Sequence, residues 1–339
     1  MSRLLKFFVS LFIGLVVFAL VIWRVGLASL GQALSLFFGF EGLLAIFFGA
    51  LFVILGIIKW RLILKSEGYQ FSFCCLSPLW LIGFALSYLT PFAVFGGEVF
   101  RIYFTKKHLP QIPPEKNMAS VAVDRILDAT VFLGFLIIGV LVFSLYGKLP
   151  GSFLGLGSFL ITATLFFFLV VFYFKQARRE SILDWLFKVF STRKVRAKNG
   201  KTAESIYQAE REVFQFFSVK NKALWQSIGL SILRYSMLSL RCLFLIFFFT
   251  GKFSFLKALA VQGFANLAAL TPFPATLGAL EVSEGFAFKV LGLGFGNGAV
   301  FSMLWRGADL VIVLFALLLF VKLSIVLISK KLKSWAGGA

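Results

Sequence analysis

Six of the 14 acidic residues in this 339-residue chain lie in or beside long apolar segments. They are Glu98, Asp124, Asp128, Glu281, Glu284 and Asp309. Five arginines accompany them along the chain: Arg101, Arg125, Arg234, Arg241 and Arg306. An ionised side chain at the centre of a bilayer costs roughly 2.5–3.5 kcal/mol, so such groups usually pair with one another and face a cavity. Because guanidinium groups bind phosphate and carboxylates hold amines or exchange protons, these residues predict a polar site for a charged group.

The residues of this set recur along the chain at a nearly constant offset. Arg125-x-x-Asp128 returns 181 residues later as Arg306-x-x-Asp309, and Gly97-Glu98 corresponds to Gly278 with Glu281. The matching segments are residues 71–73, 89–92 and 125–128 in the first half and 253–255, 270–273 and 306–309 in the second. Several matches in the same order predict an internal repeat, with one half at about 1–150 and the other at about 151–339.

The elements that must position these residues are transmembrane helices. Hydrophobic residues make up 60% of the chain and the mean hydropathy is +0.95, which no ordinary soluble domain reaches. Backbone in a bilayer must satisfy its own hydrogen bonds, so long apolar runs are helices. Full spans are predicted near residues 7–23, 40–58, 118–146, 153–174, 223–249 and 298–329. Two further apolar stretches, 76–97 and 255–282, are interrupted by Pro and Gly.

Lysine and arginine are concentrated between the apolar runs, which is the positive-inside pattern of a membrane protein rather than a nucleic-acid surface. The formal charge is +20, and residues 175–222 alone hold 12 Lys/Arg against 5 Asp/Glu. The basic loops are predicted at Lys59, Arg61 and Lys65, at Arg101, Lys106, Lys107 and Lys116, at residues 175–222, and at the tail residues Lys330, Lys331 and Lys333. Placing these loops in the cytoplasm puts both termini there. It also makes residues 76–97 dip in from the cytoplasmic side and 255–282 from the outer side.

The expected fold is therefore a single all-α polytopic membrane domain, 1–339, with about six full transmembrane helices and two re-entrant broken helices in an inverted repeat. The predicted helix breaks are Pro91, Gly96 and Gly97 in the first half and Pro272, Pro274 and Gly278 in the second. Pro ends the preceding helix and Gly permits a tight turn. The half-helix that follows aims its free N–H groups into the membrane, a pattern typical of transporter sites.

Two interpretations of the Arg-x-x-Asp motifs stay open at this point. Arg125 with Asp128, and Arg306 with Asp309, are spaced to neutralise each other within one helix. Alternatively, each motif forms a polar entrance beside its own broken helix, the first near the inner face and the second near the outer face. Within the basic loop, apolar residues at helical spacing over 203–217 predict a helix that either lies on the cytoplasmic interface or packs under the bundle.

The chain resembles the flippase-like family named for the transmembrane region of lysylphosphatidylglycerol synthase. The resemblance rests on Pro91 with Gly96-Gly97-Glu98 and Arg101, on Asp124-Arg125 with Asp128, and on residues 272–281 leading from Pro272 through Gly278 to Glu281. It covers essentially the whole chain and implies movement of lipids with charged headgroups between membrane leaflets. Residues 274–278 (Pro-Ala-Thr-Leu-Gly) hold less Gly than is usual in that family. The chain ends at Ala339 without a soluble aminoacyl-transferase domain, so synthase activity is not expected.

Three functions are therefore weighed. The first is a lipid flippase or transporter of the cell membrane, with no enzymatic activity, catalytic residue, cofactor, metal or nucleic-acid partner. In it, Arg101, Arg125 and Arg306 attract a headgroup phosphate, and Glu98 and Glu281 hold an amine or exchange protons. The second is a membrane enzyme acting on a lipid-linked substrate, with a divalent cation at Asp124 and Asp128. The third is a scaffold that partners a separate synthase.

Overall fold

The computed structural model describes residues 12, 15–23, 26–90, 97–146, 153–181 and 200–336, and every regular element in these residues is helical. Helical residues 15–23 are called α1. The remaining helices are α2 (Leu27–Phe37), α3 (Phe40–Ser66), α4 (Phe73–Leu89), α5 (Glu98–His108), α6 (Pro114–Tyr146), α7 (Phe153–Ala177), α8 (Gly200–Phe216), α9 (Lys222–Thr250), α10 (Phe255–Ala269), α11 (Ala279–Val290) and α12 (Phe295–Ala336). The chain is thus an all-α membrane protein, as predicted.

Five helices in the described part of the chain are long and apolar enough to cross a membrane. They cover Phe40–Ser66, Pro114–Leu145, Gly157–Ala177, Lys222–Thr250 and Phe295–Lys322, which match five of the six predicted spans. Of the predicted span 7–23, residues 7–11, 13 and 14 lie outside the described residues, and residues 15–23 form α1. The apolar helices α4 and α10 have 17 and 15 residues. At 1.5 Å per residue each is shorter than a hydrocarbon core of about 30 Å, so neither crosses it alone.

Two predicted basic loops are wrong because their residues lie on helices. Lys59, Arg61 and Lys65 all lie on α3, since apolar residues resume after Lys59 and carry the helix on to Ser66. Residues 101–107 lie on α5, and Lys116 lies on α6. Helix α2, which packs against α12, was not predicted.

The helix predicted over 203–217 is present as α8. Its apolar face, which includes Ala209, Val213 and Phe216, is buried against Ala119 and Val123 of α6. This face therefore packs under the bundle. Residues 182–199 of the predicted basic loop lie outside the described residues.

Helices α4 and α5 form a tight hairpin, and the sequence explains where α4 ends. Thr90 precedes Pro91 and has extended backbone angles (φ −90°, ψ 153°), because the ring of a following proline disfavours the helical region. Directly before α5, the Gly97 N–H donates to Ser87 Oγ of α4 at 2.9 Å. A Cβ on Gly97 would lie 1.8 Å from the Gly83 carbonyl oxygen. Helix α5 therefore begins against the middle of α4.

Helices α10 and α11 form a second hairpin of the same kind. A turn that contains Pro272, Pro274 and Gly278 separates them, and Gly278 has a φ of 78° that favours glycine. Ser283 Oγ of α11 donates to the Phe264 carbonyl of α10 at 2.7 Å. Lys257 Nζ, near the start of α10, donates to the Leu291 carbonyl just after α11 at 3.2 Å. Helix α11 thus runs back along α10, and the two ends of the hairpin lie together.

The backbones of α6 and α10 are in direct contact where two glycines face each other. A Cβ on Gly139 of α6 would lie 2.5 Å from Gly263 Cα and 2.6 Å from the Leu259 carbonyl oxygen. We expect Gly139→Ala to lower the free energy of unfolding by about 1–3 kcal/mol, because the added methyl group forces the helices apart. Thermal unfolding of the detergent-purified protein measures the change.

The matched control for this substitution is Gly134→Ala, five residues earlier on α6. Gly134 has open space where a Cβ would stand. Since Ala is favoured over Gly in a helix by up to about 1 kcal/mol, this variant is expected to be neutral or slightly more stable. Equal losses in the two variants would show that the close helix crossing does not limit stability.

Candidate functional site

Eleven charged side chains from six helices meet in ion pairs inside the bundle. We define the first network as Lys59 (α3), Glu98 and Arg101 (α5), Asp124, Arg125 and Asp128 (α6) and Arg234 (α9). The second network is Arg241 (α9), Glu281 (α11) and Arg306 and Asp309 (α12). All eight residues predicted for the site belong to one of the two networks.

Asp124 is fully buried and binds two cations. Lys59 Nζ lies 3.0 Å from Asp124 Oδ1, and Arg101 Nη1 donates to Asp124 Oδ2 at 2.6 Å. The Arg101 guanidinium also stacks on Trp60, 3.9 Å from the ring centroid. Lys59 was predicted to be a loop residue; instead its side chain is 0% exposed. The overlooked signal is that Trp60 and residues 62–64 continue the apolar helix beyond it.

Asp128 joins helices α3, α6 and α9. One carboxylate oxygen pairs with Lys59 and the other with Arg234. Arg234 Nε also donates to the Phe52 carbonyl at 2.9 Å, and its guanidinium carbon lies 3.8 Å from the centroid of the Phe52 ring. Arg234 therefore pairs with a carboxylate, donates to a backbone carbonyl and stacks on an aromatic ring.

Glu98 and Arg125 form the outermost pair of the first network. Glu98 opens α5, where the positive end of the helix dipole favours a carboxylate. It pairs with Arg125 Nε, and the two side chains are 13% and 23% exposed. These side chains are thus less deeply buried than Asp124, although both Glu98 carboxyl oxygens and Arg125 Nε are themselves buried.

Glu281 occupies the equivalent position at the start of α11. Its Oε2 accepts from the Gly278 N–H at 2.9 Å and from Arg306 Nη2 at 2.9 Å. The same Arg306 nitrogen donates to the Thr276 carbonyl at 3.1 Å. Ala275 and Thr276 both have positive φ values near 50°, a conformation that non-glycine residues rarely adopt. Arg306 therefore fixes a strained turn and the helix that follows it.

Asp309 pairs with Arg241 of α9, with 2.8 Å between Nη1 and Oδ1. Arg241 Nη2 donates to the Trp305 carbonyl at 2.5 Å, and its guanidinium lies 4.0 Å from the centroid of a Trp305 ring. Arg234 and Arg241 are seven residues apart on one face of α9. This helix therefore contributes one arginine to each network.

The two Arg-x-x-Asp motifs use their residues in the same way. In each, the Arg binds the Glu at the start of a hairpin's second helix, Glu98 or Glu281. In each, the Asp binds an arginine of α9. The intrahelical pairing considered for these motifs is wrong, because neither Arg pairs with the Asp three residues later. Both motifs instead connect separate helices.

The networks carry more positive than negative charge. Lys59 and five arginines face five carboxylates, which leaves a formal excess of one positive charge when all are ionised. Some donors are also free: Nε and Nη2 of Arg101, Nε of Arg241 and Nε of Arg306 are buried without a hydrogen-bond partner in the described residues. Spare N–H donors and excess positive charge are what an anionic group would bind.

The structure describes four of the six predicted helix breaks. Pro91 and Gly96 lie outside the described residues, whereas Gly97, Pro272, Pro274 and Gly278 lie at the turns of the hairpins.

The proposed metal pair, Asp124 and Asp128, is bound by three cationic side chains. The described residues contain no group of three His, Cys, Asp or Glu side chains that could hold a metal ion.

Comparisons with known proteins identify the family of this chain. The family model of the lysylphosphatidylglycerol synthase TM region matches residues 7–316. A UPF0104 membrane protein of Pyrococcus horikoshii is 25% identical over 259 residues, which is 74% of this chain and 77% of the relative. One from Methanocaldococcus jannaschii is 30% identical over 195 residues, 55% of this chain and 56% of the relative. Since the family match covers both hairpins, both motifs and most of the apolar helices between them, the chain belongs to the lysylphosphatidylglycerol synthase transmembrane-region family.

Proposed function

We propose that this membrane protein is a lipid flippase or transporter that moves a lipid with a charged, phosphate-bearing headgroup between leaflets, and that it is not an enzyme. The observation that carries the proposal is the repeated pairing in the two networks. In each half, an arginine of the Arg-x-x-Asp motif holds the glutamate that opens the second helix of a hairpin. A site that is built twice, with charges buried at each copy, fits a path better than a single catalytic centre.

The proposal includes an inverted repeat with two re-entrant hairpins. It is supported by the packing of the helices. In the first half α3 packs on α4, α4 on α5 and α5 on α6, as α9 packs on α10, α10 on α11 and α11 on α12 in the second. Across the halves, α4 packs on α12 and α10 on α6. The shortness of α4 and α10 and the return of α11 beside α10 also favour hairpins that enter and leave on one side.

The basic residues support a location in the cytoplasmic membrane with both termini in the cytoplasm. Residues 175–222, with 12 Lys/Arg against 5 Asp/Glu, then lie inside the cell. In this orientation the Glu98–Arg125 pair belongs to the inner half of the path and the Glu281–Arg306 pair to the outer half.

Headgroup binding would proceed by exchange of ion-pair partners. A phosphate that reaches Arg125 displaces the Glu98 carboxylate, and the free donors of Arg101 provide a second point of attachment. The displaced carboxylate then faces any amine on the headgroup. Glu98 and Arg125 are partly exposed, whereas Glu281 and Arg306 are 0% and 8% exposed. The described conformation thus favours entry of a headgroup at the Glu98–Arg125 pair over entry at the Glu281–Arg306 pair. Alternating access requires such a difference between the two sides.

Reconstitution in liposomes tests the proposed activity. Fluorescent anionic, aminoacylated and isoprenyl-phosphate lipids are placed in both leaflets, and dithionite quenches those that reach the outer one. We expect selective movement of at least one phosphate-bearing lipid. We expect Glu98→Gln and Glu281→Gln to abolish this movement, because each substitution removes the carboxylate that pairs with an arginine. The matched control is Glu41→Gln, which changes an acidic residue in the first turn of α3, outside both networks.

Two outcomes would contradict the proposal. No movement of any lipid above protein-free liposomes, with folded protein, would favour a scaffold that acts with a separate synthase. Chemical conversion of a lipid-linked substrate that EDTA abolishes would favour a membrane enzyme. Asp124 and Asp128 would then have to give up Lys59, Arg101 and Arg234 to bind a divalent cation, which weighs against this alternative.

A further inference from the structure

Glu284 is a buried acidic residue that belongs to neither network. It lies on α11, one turn after Glu281, and is 0% exposed. Neither of its carboxyl oxygens has a hydrogen-bond partner among the described residues. In the same part of the chain, the other buried carboxylates are all ion-paired. Glu284 is therefore the exception in a core that otherwise neutralises its acids with cations.

The surroundings of Glu284 are apolar and tightly packed. Its neighbours on α11, Leu280, Ala287 and Phe288, are buried in the large apolar cluster formed by α9, α10, α11 and α12. Gly298 of α12 contacts the backbone of Glu284 so closely that a Cβ there would lie 2.4 Å from the Glu284 carbonyl oxygen. The backbones of α11 and α12 are therefore in direct contact beside Glu284.

Charged or titratable groups lie on each of the helices around Glu284. They are Glu281 and Lys289 on α11, Arg306 and Asp309 on α12, Lys257 on α10, and Arg241 and Cys242 on α9. Arg306 is bound to Glu281, Arg241 to Asp309, and Lys257 to a backbone carbonyl. None of these cations pairs with Glu284 in the described structure.

We propose that Glu284 is a proton-binding site, which carries its proton in the conformation described here and releases it in another. An ionised carboxylate without partners in an apolar core costs several kcal/mol, and the group avoids this cost by taking up a proton. The proton binds one carboxyl oxygen and leaves to water on the side to which the path opens. The ligand is thus a proton rather than a metal.

The charge balance of the networks suggests what this proton does, if the proposed function holds. The networks carry one excess positive charge, which an ionised Glu284 would balance. An anionic headgroup supplies the same negative charge, so its arrival favours the protonated form of Glu284. By reciprocal linkage, protonation then favours headgroup binding. The proton and the anionic lipid would bind together and cross together.

Infrared difference spectroscopy of the purified protein in lipid tests the proton site without any transport. We expect a protonated-carboxyl C=O band at neutral pH that is absent in Glu284→Gln and moves in frequency in Glu284→Asp. Glu41→Gln, which alters an acidic residue outside the core, should leave the band in place. Absence of a Glu284-dependent band at neutral pH would overturn the proposal. Since Gln resembles the neutral acid, Glu284→Gln is expected to fold normally.

Lipid movement under an imposed pH gradient tests the coupling. One coupled proton changes the distribution of lipid between leaflets by up to about tenfold per pH unit. We expect the wild-type protein to respond to the gradient, and Glu284→Gln to move lipid without responding. An equal response in both proteins would overturn the coupling. If no lipid moves in either protein but the infrared band is present, the flippase and the coupling both fail while the proton site stands.

Discussion

Asp128→Asn is expected to lower the free energy of unfolding by about 3–5 kcal/mol, because it leaves two buried cations with too little negative charge. Asp128 is the only residue that pairs with Arg234 in the first network, and it shares Lys59 with Asp124. Lys59 and Arg234 have side chains 0% and 3% exposed, so water cannot replace the carboxylate. Thermal and denaturant unfolding of the detergent-purified variant, followed by tryptophan fluorescence, measures the loss.

The natural comparison for Asp128→Asn is Asp309→Asn, the same change in the second motif. Asp309 is 18% exposed and pairs with one cation, Arg241, which also keeps the Trp305 carbonyl and ring. The loss should therefore be clearly smaller. A second substitution, Lys59→Met, should recover part of the stability of Asp128→Asn by removing one unpaired cation. Equal losses at the two aspartates, or no recovery with Lys59→Met, would contradict this account.

Arg306→Gln is expected to cost about 3 kcal/mol or more and to loosen the turn between α10 and α11. The substitution leaves Glu281, which is 0% exposed, without its cation, and removes the donor to the Thr276 carbonyl. That turn holds two non-glycine residues at positive φ, so it depends on its tertiary contacts. Unfolding in detergent gives the loss of stability, and limited proteolysis at residues 270–278 reports the loosening.

The equivalent substitution in the first half, Arg125→Gln, provides the control. The Arg125 and Glu98 side chains are 23% and 13% exposed, against 8% and 0% for Arg306 and Glu281, so the loss should be clearly smaller. The double variant Glu281→Gln with Arg306→Gln should be more stable than Arg306→Gln alone, since no unpaired charge remains. The account would be wrong if the two arginines contributed equally, or if the double variant were the less stable one.

The long apolar helices were predictable from the sequence, and so was the end of α4 before Pro91. Helix α5 was not, because residues 98–108 mix charged and apolar side chains and lie between two Pro-containing segments. Lys59 was misassigned for a related reason. A lysine at the end of an apolar run usually marks the membrane boundary, and the opposing carboxylates that allow it to be buried lie 65 and 69 residues away.

Most members of the two networks were recognisable from the sequence, but Lys59 and the partners of each residue were not. Charge and position in apolar segments identified Asp128 and Asp309, whereas their pairing depends on where α3 and α9 pack. The spacing of Arg125 and Asp128 permits an intrahelical pair, yet each finds a cation or carboxylate on another helix that satisfies it more fully. Local spacing indicates which contacts are possible, and tertiary packing decides among them.

The backbone contact between Gly139 and Gly263 has a consequence for motion. Gly139 lies in the first half of the chain and Gly263 in the second, and no side chain separates the two helices there. When two rigid bodies rock against each other, points near the closest contact move least and points far from it move most. If the two halves rock as proposed, this crossing is the expected pivot. A covalent cross-link placed beside it should leave rocking almost free, whereas a cross-link of similar length at the helix ends should lock the molecule.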